Sequence, residues 1–408
     1  MSGARTGACP ACGHHVAVDF FDGGEQPLAT IAWPGNAEEA RAMPRLPLDF
    51  VQCVNCTHIH NAAFDYAHVP YSSKPNRMFN SGAAWSAFMR GLVERILARV
   101  PAIPVVVEVG HGDASLLAAL AQLRPGGRYI GFDPHGATGG REGIELRAEL
   151  FDPPGHVAAL APDIVVARHV LEHLESPLSF LQSIAFAAAA AGRDVPAYFE
   201  VPCVDRLQET GRTADLYYEH SSQFTTRSFT AMLEACGARI DSLAHAYDRE
   251  VVTAFVSLRA PAGHCEAARA AGQYRASARE SRSAIARQLE ALAGDPGGVA
   301  IWGGTGKSAA FMNRYGCDAT RFPVVVDSDR SKVGTFVPGT GQEIRFRDWL
   351  KDHPARTLIV PPQWRAADIV REIRREGIGA SRILIEHGGA LVDFLAGEHP
   401  YQRPEEPA

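Results

Sequence analysis

Apolar and polar positions change their spacing several times along the chain, and the changes divide it. Across residues 78–102, Trp85, Phe88, Met89, Leu92, Ile96 and Leu97 recur mostly at three- and four-residue spacing, the period of a helix with one apolar face. Short β-branched runs then alternate with helical stretches. Strands are expected over residues 105–109, 128–132, 163–168 and 197–201, and helices over 113–123, 177–190 and 225–236. The last helix opens on two threonines, good capping residues, and ends at Gly237. Such alternation predicts an α/β domain. Residues 239–247 and 251–259 are both β-rich and are joined by a tight polar turn around Asp248-Arg249. They predict a hairpin, so this sheet closes with an antiparallel pair instead of another crossover helix.

Residues 263–294 are rich in Ala, Arg and Glu and poor in strand formers, which predicts one long helix. A second α/β alternation follows, with strands over 299–302, 323–326, 357–360 and 382–385 and helices over 307–315 and 366–376. The expected organisation is therefore a turn-rich, cysteine-bearing segment (1–70), an α/β domain (71–262), a bridging helix (263–294), a second α/β domain (295–398) and a disordered Pro- and Glu-rich tail (399–408).

Composition narrows the function. The chain has 408 residues, 46% of them apolar and 21% charged, with a net charge of −6. That balance argues against nucleic acid as the main partner. No apolar run approaches the ~20 residues of a membrane span, and residues 1–8 lack the apolar core of a signal peptide. The expectation is a soluble, cytoplasmic protein that acts on a small molecule, with no membrane partner. Its oligomeric state is not legible.

Eight cysteines in such a chain point to thiols or metal. Cys9-Pro-Ala-Cys12 and Cys53-Val-Asn-Cys56 are two CxxC pairs with 40 residues between them. Each pair can present two thiolates on a tight knuckle, and four thiolates close a tetrahedral zinc shell without an open position. A structural Zn2+ is expected. His58 and His60 are possible substitutes as ligands, and unrelated free thiols are the plainer alternative.

Glu108-Val-Gly110-His-Gly112-Asp113 follows a strand and opens a helix. Glycines there let backbone approach a ligand, and a helix N-terminus offers free N–H groups. Asp133 ends the next strand, 23 residues after Gly110, where a carboxylate can accept ribose hydroxyls. The loop lacks the third glycine of tight dinucleotide loops. With the closing hairpin, this favours S-adenosyl-L-methionine (SAM) over a nicotinamide cofactor; a glycine turn without a ligand is the alternative. Glu145 and Glu149 can lie near an adenine or be ordinary surface carboxylates. Gly303-Gly-Thr-Gly306-Lys307-Ser308 ends like a phosphate-binding loop, but Ile301 occupies the position of its first glycine. Lys307 is left as either an anion contact of the substrate or part of a structural turn.

Tyr217-Tyr-Glu-His220 places an imidazole beside a carboxylate and two phenols, a group suited to proton transfer. Neighbours in an extended stretch face opposite ways, so one of Tyr217 and Tyr218 is expected in a core. His169 and His173 are four apart and would share a face on a helix.

The order of these parts resembles the sugar C-methyltransferases of antibiotic deoxysugar pathways. The resemblance covers nearly the whole chain. It rests on Cys9, Cys12, Cys53 and Cys56, the Glu108-Val-Gly110 loop, Glu200-Val-Pro202, Tyr217-Tyr-Glu-His220, the Trp302-Gly-Gly loop, Val326-Asp-Ser-Asp329, Lys332-Val-Gly334 and Val337-Pro-Gly339. It implies a zinc-binding domain at 1–70, a class I SAM methyltransferase domain with a Rossmann-like sheet at 71–262, and a C-terminal Rossmann-like substrate domain at 295–398. The implied reaction is methylation at the carbon next to the ketone of a nucleotide-linked 4-keto sugar. On matching positions His220 is the base, Tyr217 donates to the enolate oxygen or positions the base, and Glu219 orients the site. Tyr71 lies close to both SAM and sugar, and His173 matches a substrate-side histidine. Glu108, Gly110, Gly112, Asp133 and His169 fall on the cofactor side. Tyr218 stands where the family has His, and His169 where it has Asn. These two departures bear on which acceptor, and which acceptor atom, is used. An O- or N-methyltransferase and a non-catalytic nucleotide-sugar binding protein are the other readings.

Overall fold

The computed structural model describes residues 3–31, 33–69, 82–137, 139–140, 143–295 and 298–402. Tyr71 and residues 403–408 of the expected tail lie outside the described residues. Two compact units divide the chain between Glu266 and Ala267.

The first unit opens with strands β1 (Ala4–Thr6), β2 (Val16–Gln26), β3 (Leu46–Cys53) and β4 (Ile59–Asn61). It continues with β5 (Val105–Val109), β6 (Arg128–Phe132), β7 (Ile144–Arg147), β8 (Ile164–Arg168) and β9 (Val195–Pro202). The short strand β10 (Ser222–Gln223) and the hairpin β11 (Arg239–Ala246) and β12 (Val251–Leu258) complete it.

The central sheet has seven strands in the order β11-β12-β9-β8-β5-β6-β7. β7, β6, β5, β8 and β9 run parallel, while β12 is antiparallel to both β9 and β11. The expected closing hairpin is present, and the sheet is that of a class I SAM methyltransferase. Strand β5 shows why this sheet is buried on both faces. Val106 joins the core of Leu92, Ile96, Leu120 and Tyr129, whereas Val107 joins that of Leu181, Ile184 and Phe199. Alternate side chains reach opposite faces, so a continuous apolar run marks a strand covered by helices on both sides.

Residues 1–70 read as turns, yet they supply four strands of a five-stranded antiparallel sheet ordered β1-β2-β3-β4-β10. Strand β2 is mostly exposed and has irregularities between Asp19 and Phe21 and between Asp22 and Gly24. Both features erase the period-two pattern by which a strand is recognised. The last strand, β10, comes from residues 222–223, just past the Tyr-Tyr-Glu-His stretch, and pairs with β4.

The four cysteines of the two knuckles meet. Cys9 Sγ lies 3.7 Å from Cys56 Sγ, and Cys12 Sγ lies 3.7 Å from Cys53 Sγ. One donor atom from each sits within 4.8 Å of the others. A tetrahedron with metal–sulfur bonds of ~2.3 Å has edges of about 3.8 Å, so the four sulfurs are spaced to hold a metal ion. His58 is not among them: its Nε2 meets Ser222 Oγ at 3.2 Å.

Two of the expected catalytic side chains belong to this N-terminal region instead. Tyr218 is 1% exposed and packs with Phe50, Leu48 and Val204. Its hydroxyl accepts the Asp65 N–H at 2.8 Å. It is the core member of the tyrosine pair. Glu219 is fully buried, and its Oε1 accepts backbone N–H groups of Ala29 at 2.8 Å, Thr30 at 2.7 Å and Ile31 at 3.3 Å. Through Oε1 its side chain fixes the 29–31 segment, while Oε2 is buried without a hydrogen-bond partner among the described residues.

The second unit has a six-stranded sheet built from β13 (Val299–Trp302), β14 (Val324–Asp327), β15 (Ile344–Phe346), β16 (Thr357–Ile359), β17 (Arg382–His387) and β18 (Ala390–Asp393). The order is β15-β14-β13-β16-β17-β18, parallel except for β18, a Rossmann-like arrangement. The expected long helix is Ala262–Ala293, and its Ile285, Leu289 and Leu292 pack into this unit's core. The chain stays packed past residue 398: His399 Nε2 donates to the Phe394 carbonyl at 2.9 Å, and the rings of Tyr401 and His387 meet edge-on at 5.6 Å. Among the described residues no helix is long and apolar enough to cross a membrane.

The Glu219 anchor has a measurable consequence. Glu219→Ala strands three backbone donors and should lower the unfolding free energy of the first unit by about 3 kcal/mol, read by chemical denaturation.

Candidate active site

A cleft of about 940 Å³ opens beside the C-terminal ends of β5 and β8. Its lining includes Trp85 and Met89 from helix Ala83–Leu97, Glu108, Gly110 and Gly112 from the loop after β5, and Arg168, His169, Glu172 and His173 after β8. Tyr217 and His220 complete it.

The glycine loop is shaped as expected. Gly110 (φ 72°) and Gly112 (φ 53°) both take left-handed backbone. A Cβ on Gly110 would come within 2.5 Å of Val170 Cγ2. Asp133 accepts the Gly112 N–H at 3.0 Å and the His135 N–H at 2.9 Å, so its carboxylate holds the loop while each oxygen keeps a further lone pair. Among the described residues Asp133 borders the loop without lining the cleft. His111, between the glycines, is buried with both ring nitrogens lacking a hydrogen-bond partner among the described residues. Glu145 and Glu149 pair on the surface with Arg147, Glu145 at 2.7 Å and Glu149 at 3.7 Å, and do not enter the cleft.

A buried polar network backs the cleft. Glu200 on β9 is fully buried. Its Oε1 accepts Arg168 Nη2 at 2.9 Å and Nε at 3.2 Å, and lies 3.0 Å from His169 Nε2. Its Oε2 accepts the Tyr198 hydroxyl at 2.7 Å. Burial pushes the Glu200 carboxyl up, but the His169 hydrogen bond and the Arg168 charge outweigh it and hold it at about 2. Burial lowers His169, but Glu172 and Glu200 reverse this and raise it to about 9. His169 Nδ1 lies 3.4 Å from Glu172 Oε1. His169 has φ 51° and precedes a 3-10 turn over Leu171–His173, so His169 and His173 do not share the face of an α-helix.

The proton-transfer group is assembled beside this network. The Tyr217 hydroxyl and His220 Nε2 are 2.7 Å apart. The His173 and His220 rings meet edge-on at 4.7 Å. His173 Nδ1 donates to the Glu219 carbonyl at 2.8 Å, so Glu219 orients the site through its backbone. Burial, and then the charges of His173 and His169, push His220 well below the usual histidine range. Burial likewise pushes the Tyr217 phenol up. His220 is thus held as a neutral imidazole able to accept a proton.

Lys307 lines a cleft of about 450 Å³ in the second unit, with Asp327, Lys332 and Trp364. Arg168, Glu172 and Glu200 were not expected as site residues from the sequence. Glu200 was detectable as a carboxylate inside an apolar strand, and Arg168 and Glu172 lie within the same six residues as His169 and His173.

Residues 83–243 match the family model of a methyltransferase domain, and residues 231–383 match that of a C-methyltransferase C-terminal domain. No curated protein matches the chain. Among solved structures, a SAM-dependent methyltransferase from Aquifex aeolicus is similar at 13% identity, covering 44% of this chain and 100% of its own, with a TM-score of 0.30. Magnesium protoporphyrin IX methyltransferase from Synechocystis PCC 6803, with bound SAH, is similar at 15% identity, covering 45% of this chain and 90% of its own, with a TM-score of 0.32. Mitomycin 7-O-methyltransferase is similar at 18% identity, covering 43% of this chain and 57% of its own, with a TM-score of 0.30. The two matched domains follow one another from residue 83 to residue 383, and the chain is a SAM-dependent methyltransferase.

Proposed function

We propose that the chain methylates the carbon next to the ketone of a nucleotide-linked 4-keto deoxysugar, through an enolate, with His220 as the base. The observation that carries this reading is the 2.7 Å contact between Tyr217 and a half-buried, neutral His220 in the cleft that also holds the glycine loop. Methylating a hydroxyl breaks no C–H bond, whereas a carbon next to a ketone must first lose its proton to a base, and the enolate oxygen then needs a donor. The match of residues 231–383 to a C-methyltransferase C-terminal domain supports carbon as the acceptor atom.

The residues divide the work. Glu108, with a buried oxygen lacking a hydrogen-bond partner among the described residues, and the Gly110–Gly112 backbone fit a cationic cofactor and would hold SAM. Bound there, SAM supplies an electrophilic methyl group. His220 Nε2 takes the proton as the acceptor C–H bond breaks, and the electron pair stays on the acceptor as the enolate. Tyr217, hydrogen-bonded to that nitrogen, shares the proton and donates toward the enolate oxygen. His169 stiffens the cofactor side through Glu172 and Glu200, and His173 faces the acceptor. In the second unit, the cleft lined by Lys307 would take an anion. The four cysteines hold a structural zinc.

Two outcomes test this reading. His220→Asn should keep SAM affinity and slow α-proton exchange into heavy water by about 10²-fold or more, followed by NMR with a panel of nucleotide-linked 4-keto sugars. Because His220 is lowered, the wild-type exchange rate should fall only at pH below the ordinary histidine range of ~6.5. Methylation without any exchange would instead assign a hydroxyl or amine acceptor. Separately, Cys53→Ser should release one zinc per chain and unfold the β1–β4 region, measured by metal analysis and circular dichroism.

A further inference from the structure

Three buried carboxylates stand in and behind the first cleft: Glu108, Glu172 and Glu200. The two cations next to Glu200, Arg168 and His169, are both engaged. Arg168 is held by Glu200 at 2.9 Å, and His169 lies between Glu200 at 3.0 Å and Glu172 at 3.4 Å. Glu172 keeps only that 3.4 Å ion contact, with both oxygens lacking a hydrogen-bond partner among the described residues, whereas Glu108 has no ion pair there at all. It is 3% exposed, lines the cleft, and its Oε2 is buried with no hydrogen-bond partner among the described residues.

The groups facing Glu108 do not favour its anion. Asp113 from the loop, Asp133 from the end of β6 and Glu200 from β9 are acidic, and Arg168 from β8 is basic but already bonded to Glu200. Arg90 and Glu94 of helix Ala83–Leu97 and His111 also line the cleft. Burial is the largest influence, and despite Arg168 it lifts the Glu108 carboxyl to about 8, with Asp113, Glu200 and Asp133 adding to the rise.

We propose that Glu108 senses the positive charge of the cofactor: neutral in the open cleft, it loses its proton to solvent as a cationic centre of SAM enters, and regains one when that charge departs. The O–H bond breaks, its electron pair stays on the carboxylate, and the buried anion is compensated by the incoming cation. Binding is then coupled to proton release. The same residue makes the cleft selective for cationic over uncharged ligands of similar shape. If the sulfonium is the centre recognised, its loss on methyl transfer lets Glu108 take up a proton again and weakens the hold on the product.

The sign follows from linkage. A group deprotonated in the complex and protonated without ligand makes affinity rise with pH, by about tenfold per unit, up to the free-protein value of about 8. The experiment is calorimetric titration of the full-length wild-type protein with SAM in two buffers of different ionisation enthalpy, at a pH about one to two units below that value. Close to one proton should be released per SAM bound, and Glu108→Gln should abolish most of this release while leaving the cofactor's own amino group as the remaining titration. Repeating with S-adenosylhomocysteine, which keeps the ammonium and lacks the sulfonium, separates the two sources of charge. Release with SAM alone assigns the sulfonium, and release with both assigns the ammonium; either supports the proposal. Heats independent of buffer, or equal proton release by wild type and Glu108→Gln, overturn it. Should Glu108→Gln not fold, the wild-type SAM affinity decides: a tenfold loss for each unit of acidification below about 7 is expected, and a flat profile overturns the proposal.

Discussion

Glu200 is fully buried and accepts from Tyr198 on its own strand, Arg168 at the end of β8 and His169 just past it. A charge in that position is tolerated only because the hydrogen bonds satisfy it. In return, it fixes where β8 ends and how the chain leaves the sheet. His169 also donates its backbone N–H to the Glu200 carbonyl at 2.9 Å, so both main chain and side chain are tied to β9 as the turn to His173 begins. The chain takes a left-handed residue at His169 under that constraint. The positions of Glu172 and His173, and through His173 the contact with His220, depend on it.

The pH range of this network follows from its two extremes. Glu200 is held at about 2, so its stabilising contribution is complete above the ordinary carboxylate range and is lost as pH falls through about 2. His169 is raised to about 9, so its contribution is complete below the ordinary histidine range and is lost as pH rises through about 9. Between those limits His169 is a fixed cation beside the cleft. It joins burial in keeping His220 neutral. One histidine is charged because carboxylates surround it, and another is a base because histidines and apolar burial do.

The N-terminal region serves the same end by a different route. Ile31 packs against Leu48 and Phe50 of its five-stranded sheet, and three N–H groups of the 29–31 segment grip Glu219. Tyr218 is packed into the same core. With the two middle residues of the stretch anchored in that region, Tyr217 and His220 are left in the cleft, 2.7 Å apart. The Tyr-Tyr-Glu-His sequence thus turns its two outer side chains to the cleft and buries its two inner ones.

Much of this was legible in the sequence. The apolar runs of β5, β6, β8 and β9 are interior strands, and such runs read clearly because burial on both faces forbids polar interruption. The closing hairpin, the glycine loop and the spacing of the two cysteine pairs follow from local rules of backbone and metal geometry. The bulged, exposed β2 gave no periodic signal and was hidden among turns. What each polar residue faces was decided by tertiary structure. Neither Glu200 as an anion, Glu108 as a buried acid, nor Glu219 as a clamp on a segment 188 to 190 residues away could be read from neighbours in the chain. A charge takes its character from the solvent it loses and the partners it meets, and both are set by residues distant in sequence.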